Sequence, residues 1–311
     1  MAKYVVTGGA GFIGSHIVDE LIRREQEVKV IDNFSTGKRD NVATFANRAE
    51  IITVDISQSQ DLAGIFSGVD YVIHQAAIPS VPKSVLDPVG SHDTNVNGTL
   101  NVLLAARDAG VKRVVYASSS SLYGDSPTLP KHEEMMPNPI SPYGAQKLFG
   151  EIYCQVFTRS YRLETVSLRY FNVFGPRQDA TSQYSGVLAK FIPAVLQNKQ
   201  PVIYGDGLQS RDFTFVRNVV EANLLACTVP GIGGEAMNVA CGDRITVNEM
   251  LSQVNQITGK DIKAIFEPPR VGDIKHSQAD VRRAESKMKY KPVVSFSEGL
   301  RRTIEWYAEH I

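Results

Sequence analysis

The sequence predicts an α/β protein, a doubly wound parallel sheet with a smaller α/β lobe appended at the C-terminal side. Three observations carry this expectation. Up to about residue 170, short β-rich runs alternate with stretches of helical periodicity. Those runs are almost continuously apolar, as strands covered by helices on both faces must be. Beyond about 175 the alternation gives way to Pro, Gly and short strands mixed with helical stretches. At 311 residues the chain is long for one domain and short for two full ones. The expected division is 1–174 and 175–311, with a soft boundary and some crossing of the chain between lobes.

Each element follows from its local pattern. "YVVT" (4–7), "EVKVID" (27–32), "EIITVD" (50–55), "DYVIH" (70–74), "VKRVVYAS" (111–118) and "LETVSLR" (163–169) read as strands. "FIGSHIVDELIRR" and "NVNGTLNVLLAARDAG" between them read as amphipathic helices, as do "VNEMLSQVNQITG" and "SEGLRRTIEWYAEH" later. No internal repeat of fixed period is present.

Composition narrows the function classes. The 33 basic and 33 acidic residues cancel, so no global field recruits nucleic acid or an anionic membrane, and an anionic ligand must be held by local groups. No apolar stretch approaches the ~18 residues of a membrane span. The N-terminal "MAKYVVTGG" enters a strand at once, leaving no room for a leader, and a cytoplasmic protein is expected. Cys154, Cys227 and Cys241 are odd in number and lack C-x-x-C spacing, which fits three packed thiols in a reducing compartment. The six histidines are too scattered to suggest a metal.

"VVTGGAGFIGSHIVDELI" places Gly8, Gly11 and Gly14 directly after a strand and at the opening of a helix. The first glycine permits a tight turn, the second lets the backbone approach a pyrophosphate, and the third lets helix and sheet pack closely. Asp32 ends the next strand 18 residues after Gly14, where a carboxylate accepts hydrogen bonds from an adenosine ribose and repels a 2′-phosphate. A Rossmann-type site for NAD rather than NADP is expected, with Lys38 and Arg39 nearby as the charges that weigh against that preference. Asp55-Ile56 and Gln75-Ala76-Ala77 fall at the carboxyl ends of the third and fourth strands, where ligands sit in such sheets. Asp55 reads equally as a cap for a helix starting near Gln58. His74 reads as a hydrogen-bonded core residue.

"SPYGAQK" sets Tyr143 and Lys147 four apart, on one face of a helix. An ammonium beside a tyrosine favours the phenolate, which can take a proton from a sugar hydroxyl. Alone, this spacing describes a helix surface pair as readily. The "SSSS" run at 118–121, however, closes a strand and brings hydroxyls to the same sheet edge.

Together with "TGGAGFIGSH", "SSSSLYG", "LRYFNVFGPRQ", "YGDGLQSRDFTFV", "NVACGDR" and "GDIKHSQAD" in that order, these motifs make nearly the whole chain resemble the extended short-chain dehydrogenase/reductase family, and within it the nucleotide-sugar 4-epimerases. The resemblance implies catalysis by Ser119, which stands four before Tyr123, with Tyr143 and Lys147. It implies cofactor contacts at Phe12, Ile13, Asn33, Asn95 and Tyr170 besides the positions above. It puts Ser120 beside the substrate, and Asn172, Val187, Tyr204, Arg211, Arg270 and Asp273 around a UDP group. Guanidinium groups suit a diphosphate, which agrees with the two arginines. Ala189 in place of a common Pro, and Arg217-Asn218 in place of a common acidic pair, depart from the family pattern.

Dehydratases of this family carry Asp-Glu directly after the catalytic hydroxyl, and decarboxylases commonly a Glu; Ser120 and Ser121 stand there instead. The resemblance therefore favours inversion of C4 through a transient 4-keto sugar with NAD kept bound. Ser277 stands where relatives restricted to UDP-glucose and UDP-galactose have Tyr, which implies room for the acetamido group of UDP-N-acetylglucosamine or UDP-N-acetylgalactosamine. UDP-glucose remains a second substrate. A UDP-glucuronate 4-epimerase using Arg177 on the carboxylate is the alternative. A non-catalytic NAD-binding protein is the alternative of another class. The helices near 95–110 and 142–158 resemble those that pair relatives into homodimers.

Overall fold

Six strands form where the apolar runs predict them: β1 (Lys3–Thr7), β2 (Glu27–Ile31), β3 (Glu50–Ile52), β4 (Tyr71–His74), β5 (Arg113–Ser119) and β6 (Glu164–Tyr170). Among the described residues seven further strands of two to four residues follow: β7 (Val173–Phe174), β8 (Val202–Tyr204), β9 (Ser210–Arg211), β10 (Thr214–Phe215), β11 (Ala236–Val239), β12 (Ile245–Thr246) and β13 (Ile265–Glu267). The helices in chain order are α1 (Phe12–Arg23), α2 (Arg39–Ala43), α3 (Val81–Leu86), α4 (Pro88–His92), α5 (Gly98–Asp108), α6 (Pro142–Tyr161), α7 (Val187–Leu196), α8 (Val216–Thr228), α9 (Val247–Thr258), α10 (Arg282–Met288) and α11 (Phe296–His310). This computed structural model describes residues 1–180, 186–269 and 275–311.

The main sheet runs in the order β11-β6-β5-β4-β1-β2-β3, and every pairing in it is parallel. Strand order reverses between β1 and β4, which opens a crevice at their carboxyl ends. Alternate residues feed two cores. Tyr4, Val6, Val28, Val30 and Val115 pack with α1 and α8. Val5, Ile31, Val72, Val114 and Tyr116 pack with α5 and α6 on the other face. Burial on both faces explains why the strands read as continuous apolar runs.

After residue 174 the chain does cross back. β11 pairs with β6 from Ala236 opposite Ser167 to Val239 opposite Tyr170. Val219, Val220 and Leu224 of α8 share a core with Ile17 and Leu21 of α1. The lobe proper has its own core around Phe174, Phe191, Ile192, Phe213, Met250 and Leu300. A cut at 174/175 thus divides the chain without dividing the space.

The Arg217-Asn218 departure has a structural account. Arg217 pairs with Glu20 of α1 and Glu221 of its own helix, while Glu20 also meets Arg23 and Arg24. The fully buried Asn218 accepts from Val293 and Val294 N–H at 2.8 and 2.9 Å and donates to the Val294 carbonyl at 2.8 Å. Its amide supplies a donor that a carboxylate lacks. Among the described residues no helix is long and apolar enough to cross a membrane.

Candidate active site

The glycine-rich turn leaves β1 in a shape that only glycine fits. Gly8 has φ +69°, and a Cβ there would lie 2.6 Å from the Ala76 nitrogen; at Gly14 a Cβ would lie 2.1 Å from the Gly8 carbonyl oxygen. The turn therefore sits against the end of β4, and α1 starts hard against the turn. Gly11 precedes α1 in extended conformation with no side-chain cap. The first N–H groups of α1 have no intrahelical partner and are left for an anion. These features fit the pyrophosphate of a dinucleotide.

Around that turn the predicted residues converge in part. Asp32 accepts from the Ala10 and Phe34 N–H groups at 2.9 and 2.8 Å, and burial raises its pKa. The two cations that weighed against NAD are engaged elsewhere: Lys38 pairs with Asp179 at 3.1 Å, and Arg39 lies 4.4 Å over the Phe34 ring. Asp55 does not cap a helix. It closes its own turn on Ser57 N–H and takes the Asn33 amide, both at 2.8 Å, bringing Asn33, Asp55 and Ile56 to neighbouring strand ends. His74 is a core residue held by Thr7 and Thr99 at 2.7 and 3.0 Å, with burial pulling its pKa down to about 3.

Two expected cofactor contacts have other work in the protein. The Tyr170 hydroxyl is bound by Gln75 and Asn223 at 2.8 Å each, and the Gln75 amide also donates to Asn223 at 3.2 Å. Asn95, on a π-type turn over Asp93–Asn97, accepts from Ile78 N–H and donates to Gln146, both at 2.8 Å. It thereby ties the loop after β4 to α6.

The catalytic helix is set by its start. Ser141 caps α6 by accepting from Gly144 N–H at 3.1 Å, Pro142 occupies the first turn, and Ser84 of α3 accepts from Tyr143 N–H at 3.0 Å. Tyr143 and Lys147 then face the end of β5. The Ser119 side chain, which accepts from Ser121 N–H at 3.2 Å, lies near enough to the Tyr143 hydroxyl to lower its pKa. Lys147 donates to the Ala117 carbonyl at 2.8 Å, with its nitrogen 5.9 Å from the centre of the Tyr143 ring.

The electrostatics differ from the expectation that Lys147 makes Tyr143 a phenolate. Burial pushes the Tyr143 hydroxyl up to about 12, the Ser119 side chain opposing it, and burial brings Lys147 down to about 7. The crevice wall around both groups is desolvating, and the ammonium spends its hydrogen bond on a backbone carbonyl.

Beyond the end of β6, Asn172, Val187, Tyr204 and Arg211 line one cavity of about 280 Å³ with Lys190 and Gln209. Asn172 has φ +32° and donates to the Asp212 carbonyl at 3.1 Å. Arg270 and Asp273 lie outside the described residues. Ser277 runs beside the strand carrying Arg211, its N–H donating to the Ser210 carbonyl at 3.0 Å, and is not in the cavity wall. The next residue, Gln278, accepts from Lys131 N–H at 2.8 Å, which joins this segment to the loop between Tyr123 and Tyr143. Arg177 pairs with Asp19 of α1 at 2.7 Å.

Residues 4–240 match the model of the NAD dependent epimerase/dehydratase family. The chain belongs to that family. It is an NAD-dependent enzyme. Its structure resembles the UDP-N-acetylglucosamine 4-epimerase of Methanobrevibacter ruminantium M1, solved with UDP-N-acetylmuramic acid (42% identity, TM-score 0.96, 100% and 99% of the two chains). It also resembles the UDP-glucose 4-epimerase of Thermus thermophilus in complex with NAD (38%, TM-score 0.90, 99% and 100%). A UDP-glucuronate 4-epimerase of Thermodesulfobacterium geofontis is 33% identical over 100% of this chain and 98% of its own length.

Sequence reasoning missed several residues at this site. Ser84 fixes α6 from outside the motif that defines it, and Gln146, inside that motif, ties the helix to Asn95 and Ser91. Glu151 was also missed, although it continues the spacing of Tyr143 and Lys147 by another four residues. A charged residue on that face was the available signal.

Proposed function

We propose that this enzyme is a UDP-sugar 4-epimerase acting on UDP-N-acetylglucosamine and UDP-N-acetylgalactosamine, with UDP-glucose as a second substrate. One observation carries the reading: Tyr143 and Lys147 of α6 meet the end of β5 beside Ser119, with Lys147 on the Ala117 carbonyl and hydroxyls but no carboxylate at 120 and 121. Elimination or decarboxylation calls for additional acid–base help there, whereas inversion at C4 does not.

When bound, NAD supplies a reversible acceptor for the C4 hydride and a positive ring that favours an anion beside it. Gly8, Gly11, Gly14 and the start of α1 would hold its pyrophosphate, and Asp32 its ribose. Tyr143 accepts the proton of the C4 hydroxyl and returns it after the 4-keto sugar has turned. Ser119 hydrogen-bonds the Tyr143 oxygen and so favours its ionised form. Lys147 contributes positive charge behind the ring. The cavity lined by Asn172, Val187, Tyr204 and Arg211 anchors the UDP group, so the sugar can present either face without dissociating. Ser120 borders the sugar, and the family pattern assigns Arg270 and Asp273 to the diphosphate as well.

Ser277 supports the acetylated substrates because its side chain is small and its segment is tied both to β9 and to the catalytic loop. Arg177 does not favour UDP-glucuronate, since Asp19 already neutralises it. A homodimer is part of the proposal: Phe149, Ile152 and Val156 form an exposed stripe on α6, too apolar to be left in water over that length. Unpaired thiols, two of them buried, suit the cytoplasm.

Incubating the enzyme with UDP-N-acetylglucosamine, UDP-glucose and UDP-glucuronate, then separating the epimers, tests the reading. Conversion of the acetylated sugar is expected, and Ser277→Tyr should abolish it while sparing UDP-glucose. Conversion of UDP-glucuronate alone would refute it.

A further inference from the structure

Behind the catalytic residues lies an ion pair that the proposed chemistry does not use. Glu151 of α6 and Arg169 of β6 are 3% and 6% exposed and meet through two hydrogen bonds, Nε to Oε1 at 2.9 Å and Nη2 to Oε2 at 2.8 Å. Stability alone gives little reason for it. A well-packed apolar pair of similar volume is often as stable as a buried ion pair, which must overcome the desolvation of both charges.

Its other contacts are more telling. Ser118 donates its hydroxyl to Glu151 Oε1 at 2.5 Å, and Arg169 Nη1 donates to the Tyr123 hydroxyl at 2.8 Å. The guanidinium also lies 5.0 Å from the centre of the Tyr123 ring. Ser118 is the next-to-last residue of β5 and Tyr123 the last of the 3-10 turn Ser120–Tyr123 that follows Ser119, so the two bracket Ser119 and its turn. Both ends of that turn are therefore fastened to one buried pair. The Tyr123 hydroxyl donates to Asn238 Oδ1 at 2.7 Å, and Asn238 donates to the Lys131 and Asp280 carbonyls at 2.9 and 3.0 Å.

The same face of α6 presents Tyr143, Lys147 and Glu151 at successive intervals of four. Two consecutive residues of β5 receive the last two, Ala117 taking Lys147 and Ser118 meeting Glu151, and the next, Ser119, lies beside Tyr143 and lowers its pKa. We propose that the Glu151–Arg169 pair is a positioning element, fixing the Ser119 turn against α6 through Ser118 and Tyr123 so that the Ser119 hydroxyl reaches the Tyr143 oxygen. This rests on the catalytic reading of Tyr143 above. Misplacement of a reacting group by a fraction of an ångström is costly to rate even where the fold is unharmed.

Ser118→Ala and Tyr123→Phe each remove one hydroxyl and leave the ion pair in place. The test compares them with the wild type and Tyr143→Phe, with kcat and KM measured on UDP-N-acetylglucosamine and UDP-glucose. The kcat–pH profile, the melting midpoint and amide exchange of residues 119–122 complete it. Each variant is expected to lose about tenfold in kcat at unchanged KM, with the acid limb of kcat moved to higher pH. Amide exchange in the turn should quicken while that of β1 and β4 stays unchanged. Wild-type kcat and wild-type exchange in both variants would overturn the inference, as would a loss of rate that only follows a fallen melting midpoint. An active Tyr143→Phe would instead overturn the catalytic reading, and the exchange data would still decide whether the pair holds the turn.

Discussion

At the scale of single residues, Tyr143 shows how much of an active site's electrostatics depends on what surrounds a motif. The Tyr-x-x-x-Lys spacing and its common face were legible in the sequence, because helical geometry alone dictates them. The direction in which each group's proton affinity moves was not, since that depends on desolvation by residues far apart in the chain. Burial raises Tyr143, and the Ser119 side chain is what opposes it. The sign follows directly. A group that must lose a proton to act gives a kcat that rises with pH through its pKa, and removing a hydrogen bond to the ionised form raises that pKa. Ser119→Ala should therefore shift the acid limb of the kcat–pH profile upward, and Tyr143→Phe should lower kcat by roughly 10²- to 10⁴-fold. An unmoved limb in Ser119→Ala would show that Ser119 does not act on Tyr143.

At the scale of elements, the strand–turn–helix unit from β1 to α1 was read correctly because its requirements are local. Gly8 needs a positive φ and Gly14 needs the absence of a side chain, and both needs appear as glycine in the sequence. Gly14→Ala would drive a methyl group to within 2.1 Å of the Gly8 carbonyl, so helix or turn must move. A loss of about 1–3 kcal/mol is expected, measured as a lower melting midpoint, together with weaker retention of NAD measured by absorbance of the purified protein. The support of α6 was less legible. Ser84 reaches it from α3, and Gln146 of α6 itself reaches out to Asn95 and Ser91, both far away in sequence; a serine or glutamine carries no mark of the partner it will find. Arg169 did carry a mark, as a cation inside an apolar strand, but its partner lies 18 residues earlier on a different element.

At the scale of the whole molecule, α6 serves two faces at once. One meets the end of β5, and the other carries Phe149, Ile152 and Val156, which are 50%, 49% and 41% exposed. Ile152→Glu would place a charge in the middle of that stripe and should convert a dimer into a monomer in sedimentation experiments. A wild-type protein that already sediments as a monomer would exclude the proposed interface. That the first six apolar runs are strands of one parallel sheet could be anticipated from their alternation with helices. The seventh could not, since Ala236–Val239 is a four-residue run within a region of mixed pattern, and only its pairing with β6 assigns it to the main sheet.

That returning strand bears on how such a chain can be taken apart. A fragment ending at residue 174 would carry the glycine turn, Ser119, Tyr143 and Lys147, yet it would lose both the neighbour that saturates the backbone of β6 and the helix that shields Ile17 and Leu21 from water. Its outer edge would then be an open template for other chains. Neither piece is a self-sufficient module, and shuffling this protein with its relatives should favour exchange of surface loops over exchange of halves.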